Sequence, residues 1–433
     1  MMIKIDNPSP TEWNKLTGRV TKTAHHLENA VSEVFTEVQR RKDVALHKYT
    51  QLFDGVTLSG FTVELSEMEE AISEVSDELK AAIDLAKTNI TKFHTAQQRE
   101  RVFVETSKGV LCWQEQRPIE KVGLYIPGGS APLFSTILML AIPATLAGCK
   151  EIVLCTPPGK DGNINPAILY TAEACGIKTI FKVGGIQAIA GLTFGTESIP
   201  KVDKIFGPGN QFVTAAKQLS TKYGVAIDMP AGPSELLVFA DDTANASFVA
   251  SDLLSQAEHG KDSQVILVST SKTFIQSVEA KIEDQIINLP RIKIVSEVLK
   301  NTNLIFMKTE KIALDFINAY APEHLIVVSK KEDYFLKHIN NAGSVFVGSF
   351  SAESAGDYAS GTNHTLPTNG FAKQYSGVSL DSFTKSITFQ KINKEGIQII
   401  GPAVELMAQA EGLLAHKRAI SLRLDSLKKG DDE

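Results

Sequence analysis

The sequence predicts an α/β protein built from two doubly wound domains, each a parallel sheet with helices on both faces. Strand-like and helix-like stretches alternate from residue 122 to 222 and again from 236 to 348. The strand-like stretches, such as "VGLYI", "LLVFA" and "HLIVVS", are continuous apolar runs, the pattern of strands covered on both faces. A chain of 433 residues, 43% of them hydrophobic, is long enough for two large cores.

Taken in order, residues 25–53 and 66–97 read as two amphipathic helices. In the second, Ser66 and Glu69 have the spacing of a capping box, and Ile72, Val75, Leu79, Ile83, Ala86, Ile90 and Phe93 keep one apolar face. "RVFVETSKGVLCWQEQ" reads as a hairpin turning at Lys108 and Gly109. The first alternating series is strand 122–126, helix 133–147, strand 151–155, helix 165–175, strand 178–182, helix 185–194, strand 202–206 and helix 211–222. The second runs through "LLVFA", helix 244–259, "QVILVS", helix 272–286, "LIFM", helix 309–319, "HLIVVS", helix 332–340 and "SVFVG", with the division near "DMPAGPSE". Residues 348–379 are rich in small residues and lack any period. Sparse charge and several aromatic residues argue against disorder there, so a binding loop is expected. The last fifty residues return to helix at "PAVELMAQAEGLLAHKRAISLRL", interrupted by Gly412.

Composition narrows the partners. Lys plus Arg (44) against Asp plus Glu (50) gives −6, and the basic clusters are short pairs, so nothing tracks a phosphate backbone. The start, "MMIKIDNPSPTEW", lacks the apolar stretch of a signal peptide, and a cytoplasmic location is expected. Residues 122–149 carry no charge and approach the length of a membrane span, but their prolines, glycines and leading strand favour a helix buried on a sheet. The four cysteines, Cys112, Cys149, Cys155 and Cys175, show no Cys-x-x-Cys spacing and read as core thiols.

Several side chains have chemistry to offer. In "TANASFVASDLLSQAEHG", Gln256 and His259 stand one helical turn apart, with Gly260 ending the helix. The pair could give a metal two ligands, although such a pair is commonly an ordinary surface feature. Asp357, with Glu353 nearby, could add a carboxylate, and His364 shares that loop. Glu411 and His416 would diverge by roughly 140° on an unbroken helix, so they converge only if Gly412 bends the segment. In "YAPEHLIVVS", Glu323 and His324 reach one site only from a loop at the start of the strand, where they suit proton transfer; a merely charged strand start fits the residues equally well. "YIPGGSAP" and "FGPGNQFVTAAK" each join a strand to a helix through small residues, which lets backbone N–H groups approach an anion, but neither is G-x-G-x-x-G.

Together these stretches closely resemble the histidinol dehydrogenase family. "AIDMPAGPSELLVFADDTANASFVASDLLSQAEHG" is similar to the family signature along its length, and "VGGIQAIAGLTFGTESIPKVDKIFGPGNQFVTAAK", "YAPEHL" and "SAGDYASGTNHTLPT" match the family too. The resemblance implies two Rossmann-like, aldehyde-dehydrogenase-like domains with small helical terminal segments. Residues 1–22 would form an N-terminal segment, and 23–120 with 235–380 the domain bearing metal and catalytic residues. Residues 121–234 would form the NAD domain, and 381–433 a segment that crosses to the partner in a homodimer. It implies zinc- and NAD-dependent oxidation of L-histidinol through L-histidinal to L-histidine. By the same resemblance Gln256, His259, Asp357 and His416 hold zinc, and Glu323 and His324 are the catalytic pair. Ser234, His364 and Glu411 contact substrate together with Gln256, His259, His324, Asp357 and His416, while Tyr125, Gln187 and Asn210 contact NAD. The N-terminal hundred residues match mainly in pattern.

Three rival readings remain. One is a relative acting on another alcohol, such as a sulfonated diol. Another is aldehyde oxidation through a thiohemiacetal on Cys149 or Cys155. The third is a non-catalytic zinc or assembly protein on the same scaffold.

Overall fold

Strands and helices alternate through the middle of the chain as the apolar runs predict. The structure is a computed structural model, and it describes residues 2–19, 25–128, 132–230 and 232–430. Along the chain the strands are β1 (Ile3–Asp6), β2 (Val102–Ser107), β3 (Val110–Pro118), β4 (Lys121–Tyr125), β5 (Glu151–Thr156), β6 (Thr179–Lys182) and β7 (Lys204–Phe206). They continue as β8 (Ala226–Ile227), β9 (Glu235–Ala240), β10 (Gln264–Ser269), β11 (Asn303–Phe306), β12 (His324–Val328), β13 (Ser344–Val347) and β14 (Thr384–Ile392).

Two parallel sheets result. Strands β4 to β8 order as β6-β5-β4-β7-β8, and β1 with β9 to β13 as β1-β11-β10-β9-β12-β13. Each strand reaches its parallel neighbour only by a crossover, which the intervening helices supply on both faces. The uncharged stretch becomes helix Phe134–Ala147, in which every residue from Ser135 to Ala144 is buried. A helix apolar all round belongs inside a core. Gly148, at φ 86°, ends it in the left-handed region that a glycine adopts without strain. No helix among the described residues is long and apolar enough to cross a membrane.

The chain divides into two units. Met1–Gln97 with Ile119–Phe383 carries both parallel sheets, and Gln98–Pro118 with Thr384–Glu433 is the other. In the second, β2 and β3 form the expected hairpin, and β14 adds to it in the antiparallel order β14-β3-β2, with Trp113 stacked on Phe389. Helices Lys394–Ala410 and Leu414–Gly430 follow, and Gly412, at φ 75°, makes the break between them.

The structure corrects several expectations. The first predicted helix is two, His25–Arg41 and Asp43–Phe53, parted at Lys42 (φ 51°). The second is also two, Leu65–Glu74 and Asp77–Thr95, because Val75 and Ser76 are extended. Ser66 therefore lies inside a helix rather than capping one; Ser76 caps instead, accepting from the Leu79 N–H. Helix Ala246–Ala257 stops before Gly260, so His259 stands just beyond it. Strands β1, β8 and β14 and helix Ile292–Leu299 went unforeseen: the strands are short or exposed and lack a clean alternation.

The packing also departs from the expected grouping of 23–120 with 235–380. Val31, Phe35 and Leu46 pack with Ile189 and Leu192 on one face of the five-stranded sheet, and Ile83 and Ile90 with Leu138 and Leu140 on the other. Residues 98–118 go with the C-terminal helices through β14. An apolar stripe announces that a helix face is buried and leaves its partner unspecified.

Candidate active site

The titratable residues gather at the amino ends of the six-stranded sheet. Helix Glu310–Tyr320 ends in Ala321, at φ 54°, and Pro322 then leads into β12, whose first residue is His324. β12 lies beside β9, with His324 opposite Leu236. The preceding residue, Glu235, meets both candidates: its backbone N–H donates to Glu323 Oε2 (2.8 Å), and its carbonyl lies 3.2 Å from His324 Nδ1. A carbonyl only accepts, so the ring donates from Nδ1, and Nε2, which has no hydrogen-bond partner, is left to exchange a proton.

Glu235 is itself fixed. Arg19 grips its carboxylate in a fork, Nε to Oε1 at 3.0 Å and Nη2 to Oε2 at 2.8 Å, and stacks over Tyr320. The Asn369 N–H donates to the same Oε1.

Around the imidazole stand Glu353 Oε1 at 3.4 Å and Glu323 Oε2 at 3.7 Å from Nδ1, and Asp357 Oδ1 at 3.6 Å from Nε2. Burial opposes charge on the ring, but these carboxyl groups prevail and raise its pKa to about 10. Burial pushes Glu323 and Glu353 up to about 8 each. Burial also works against charge on Asp357, yet its contact with His324 holds it below the usual carboxylate range.

Beside the imidazole, ligand atoms of His259, Glu353 and Asp357 lie within 4.8 Å of one another. Gln256 is fully buried, and neither its oxygen nor its nitrogen has a hydrogen-bond partner. An orphaned buried amide of this kind is costly unless something binds it. Helix Ala246–Ala257 runs back from the end of β9, so its negative C-terminal end faces this corner and favours a cation. The N and O donor set fits zinc. His259 reaches solvent at its edge, and crowding around the rest of the ring lowers its pKa.

The five-stranded sheet offers its opposite, carboxyl edge. Tyr125 ends β4, and its hydroxyl accepts from the N–H of Gly185, the first residue of helix Gly185–Phe194. Gln187 in that helix is fully buried; its Nε2 donates to Asp54 Oδ2 (3.2 Å) and its Oε1 has no partner. Asn210 caps helix Gln211–Ser220 through Oδ1 and is exposed, which leaves its amide nitrogen facing outward. The loop before it is clamped: Gly207 donates its N–H to Asp228 Oδ2 (2.8 Å) and accepts from Lys217 Nζ (2.7 Å), while Lys217 and Asp228 form a buried ion pair. At φ 130° and against the Tyr125 carbonyl, Gly207 has no room for a side chain. Two helix N-termini suit a phosphate-bearing cofactor, and the orphaned Gln187 oxygen can accept from a hydroxyl or amide donor of such a molecule. Of the other loop, "YIPGGSAP", residues 129–131 lie outside the described residues.

A family profile described as Histidinol dehydrogenase matches residues 17–424. The chain belongs to the histidinol dehydrogenase family. Histidinol dehydrogenase of Bacteroides thetaiotaomicron is 56% identical over 428 residues, 99% of this chain and all of that one. That of Escherichia coli K12 is 48% identical over 428 residues, 96% of this chain and 98% of the relative. The crystal structure of histidinol dehydrogenase from Elizabethkingia anophelis superposes with a TM-score of 0.97 at 58% identity, covering 99% of each chain. Members of the histidinol dehydrogenase family are NAD-dependent oxidoreductases, and the sulfonated-diol alternative finds no support among these relatives.

Within this histidinol dehydrogenase fold, Gln256, His259, Asp357, Glu323 and His324 share one corner. Ser234, half-buried, directly precedes Glu235. His364 sits beside Asp357 with both ring nitrogens engaged, Nδ1 on the Asp357 carbonyl (2.8 Å) and Nε2 on Thr136 Oγ1 (3.1 Å), and burial lowers its pKa. Glu411 and His416 belong to the other unit, where both are exposed. The thiols give no sign of nucleophilic use: burial raises Cys149 to about 11 and pushes Cys155, fully buried, higher still. Sequence reading overlooked Arg19, Glu235, Asp54 and the Lys217–Asp228 pair. Their partners lie far off in the chain, and no spacing connects them.

Proposed function

We propose that the chain oxidises L-histidinol to L-histidinal and then to L-histidine with two NAD in succession, and that Glu323 and His324 are its catalytic pair. The observation that carries this is His324, fixed by Nδ1 on the Glu235 carbonyl with Nε2 unpartnered beside the candidate metal ligands.

Gln256, His259 and Asp357 would hold zinc, joined by His416. A zinc ion there would grip the imidazole and amino nitrogens of histidinol and, by its charge, ease the proton's release from His324. His324 Nε2 takes the hydroxyl proton as the carbinol carbon gives hydride to NAD. Glu323, buried with a raised pKa, then takes a proton from the water that adds to the aldehyde, and His324, once its first proton has passed to solvent, accepts the proton of the hydrate in the second oxidation. Tyr125, Gln187 and Asn210 would seat NAD at the five-stranded sheet, and Ser234, His364 and Glu411 would bear on substrate. Manganese or cobalt would also suit the donors.

The proposal includes a homodimer in which Glu411 and His416 complete the site of a second copy. Leu406, Met407, Leu413 and Leu414 expose apolar surface around the break between the terminal helices, as an interface would. A cytoplasmic location is proposed with it, in keeping with four unpaired cysteines.

NADH formed per L-histidinol consumed tests the reading: about two fits two hydride transfers, whereas none from zinc-loaded protein would sink it. Mixing inactive His324→Ala and His416→Ala chains tests the shared site; activity should return as mixed dimers form.

A further inference from the structure

We propose that Asp54 is a positioning residue for NAD: its carboxylate takes the amide nitrogen of Gln187 and so turns the amide oxygen to accept an N–H or O–H of the cofactor. The proposal rests on the reading of Gln187 as a cofactor contact.

Asp54 closes helix Asp43–Phe53, its N–H donating to the Thr50 carbonyl. That is the negative end of a helix, where an acid is unfavourable. The side chain is half-buried, and among the described residues it forms no ion pair; burial raises its pKa to about 6. For stability alone the charge is a cost. Costly placements of ionisable groups gather at functional sites.

What the carboxylate touches is Gln187 Nε2, at 3.2 Å. A carboxylate only accepts, so it holds the amide nitrogen toward itself and leaves the oxygen pointing away. Gln187 is fully buried, and its Oε1 has no partner. That oxygen lies over the start of helix Gly185–Phe194: a Cβ on Gly185, whose φ is 61°, would stand 3.0 Å from it. At the same helix start the Gly185 N–H donates to the Tyr125 hydroxyl, so a second proposed NAD contact is tied to this corner. A buried acceptor without a partner is costly until a donor arrives. NAD brings donors in its carboxamide, its adenine amine and its ribose hydroxyls. Its phosphates bring none, so Oε1 serves one of those three groups.

Asp54→Asn keeps the shape and adds a donor, so the Gln187 amide can turn either end to the cofactor. In calorimetry on the zinc-loaded protein at about pH 8, where the original carboxyl is ionised, Kd for NAD should rise by about 3- to 10-fold. KM for NAD should follow it, with kcat and KM for histidinol within about twofold of the original. Analogues identify the donor: acetylpyridine in place of nicotinamide removes the carboxamide N–H, hypoxanthine in place of adenine removes the amine, and deoxyribose removes a hydroxyl. The analogue lacking the donor should bind the original protein about 3- to 10-fold less tightly than NAD does and should be indifferent to the substitution. An unchanged or lower Kd for NAD in the variant overturns the proposal. So does a rise of equal size for NAD and every analogue, which would leave Asp54 a purely structural part. Should the asparagine variant not fold, Asp54→Ala is read the same way. An unaltered protein that binds no NAD would remove the reading of Gln187 as a cofactor contact, and this proposal with it.

Discussion

The two parallel sheets use opposite edges. The six-stranded sheet gathers its chemistry at the strands' amino ends, where a helix arrives with its C-terminus, whereas the five-stranded sheet offers its carboxyl ends, where helices begin. A helix C-terminus favours a cation and an N-terminus an anion, so the edge predicts the sign of the ligand. The edges also differ in completeness. Gln256, His324 Nε2 and Glu353 are buried and unpartnered, whereas Gly207 and Asn210 are already tied by Lys217, Asp228 and the helix they cap. One edge is built mostly of side chains awaiting partners, the other of a loop already held in place beside a single orphaned oxygen, Gln187 Oε1.

Variants can break this contrast. His324→Asn should have the largest effect, lowering kcat by about 10²- to 10⁴-fold while NAD affinity stays near its original value, because the proposed base belongs to the six-stranded sheet and the proposed NAD contacts to the five-stranded one. Steady-state kinetics with cofactor titration checks it. Lys217→Met leaves the buried Asp228 with backbone N–H donors and no cation in contact; it should destabilise the fold by about 3–5 kcal/mol in denaturant melts and raise KM for NAD more than for histidinol. Asn210→Ala removes a helix cap and should cost about 1 kcal/mol, again with the NAD KM rising.

A further effect is one of pH. Burial raises Asp54, which accepts from Gln187, to about 6. A raised carboxyl keeps its proton longer in the folded chain than in the unfolded one, so ionisation penalises the fold as pH rises through that window. Asp54→Asn should therefore gain stability over the original protein as pH rises from about 4 to 6 and keep a constant margin above. Melting temperatures across that range decide it; a margin that shrinks with rising pH would refute the assignment.

Much of this was legible in advance. Continuous apolar runs at short spacing marked the strands β4 to β7 and β9 to β13, because strands covered on both faces are built mainly of apolar residues, with polar ones at their ends. Gln256, His259, Glu323, His324 and Asp357 were legible through motifs local in sequence. Arg19 and Glu235 were not, for their bond joins residues that only the finished fold brings together. The break at Ser76 escaped notice because the apolar stripe continues across it, from Met68 and Ala71 to Ile83 and Ile90. A stripe records what is buried on each side of a turn, and the turn itself depends on one hydroxyl accepting one N–H.

Strand β1 pairs with β11, Ile3 opposite Asn303, and Arg19 closes on Glu235. During synthesis the first twenty residues emerge long before any surface exists to receive them, and they must wait until β9, β10 and β11 have left the ribosome. The five-stranded sheet, whose strands lie within residues 121–227, can form in the meantime. The segment that clamps the corner is thus made early and seated late, so a chain cut short before residue 303 would hold a five-stranded sheet with its covering helices while Arg19 lacked its seat and Glu323 and His324 were not yet made.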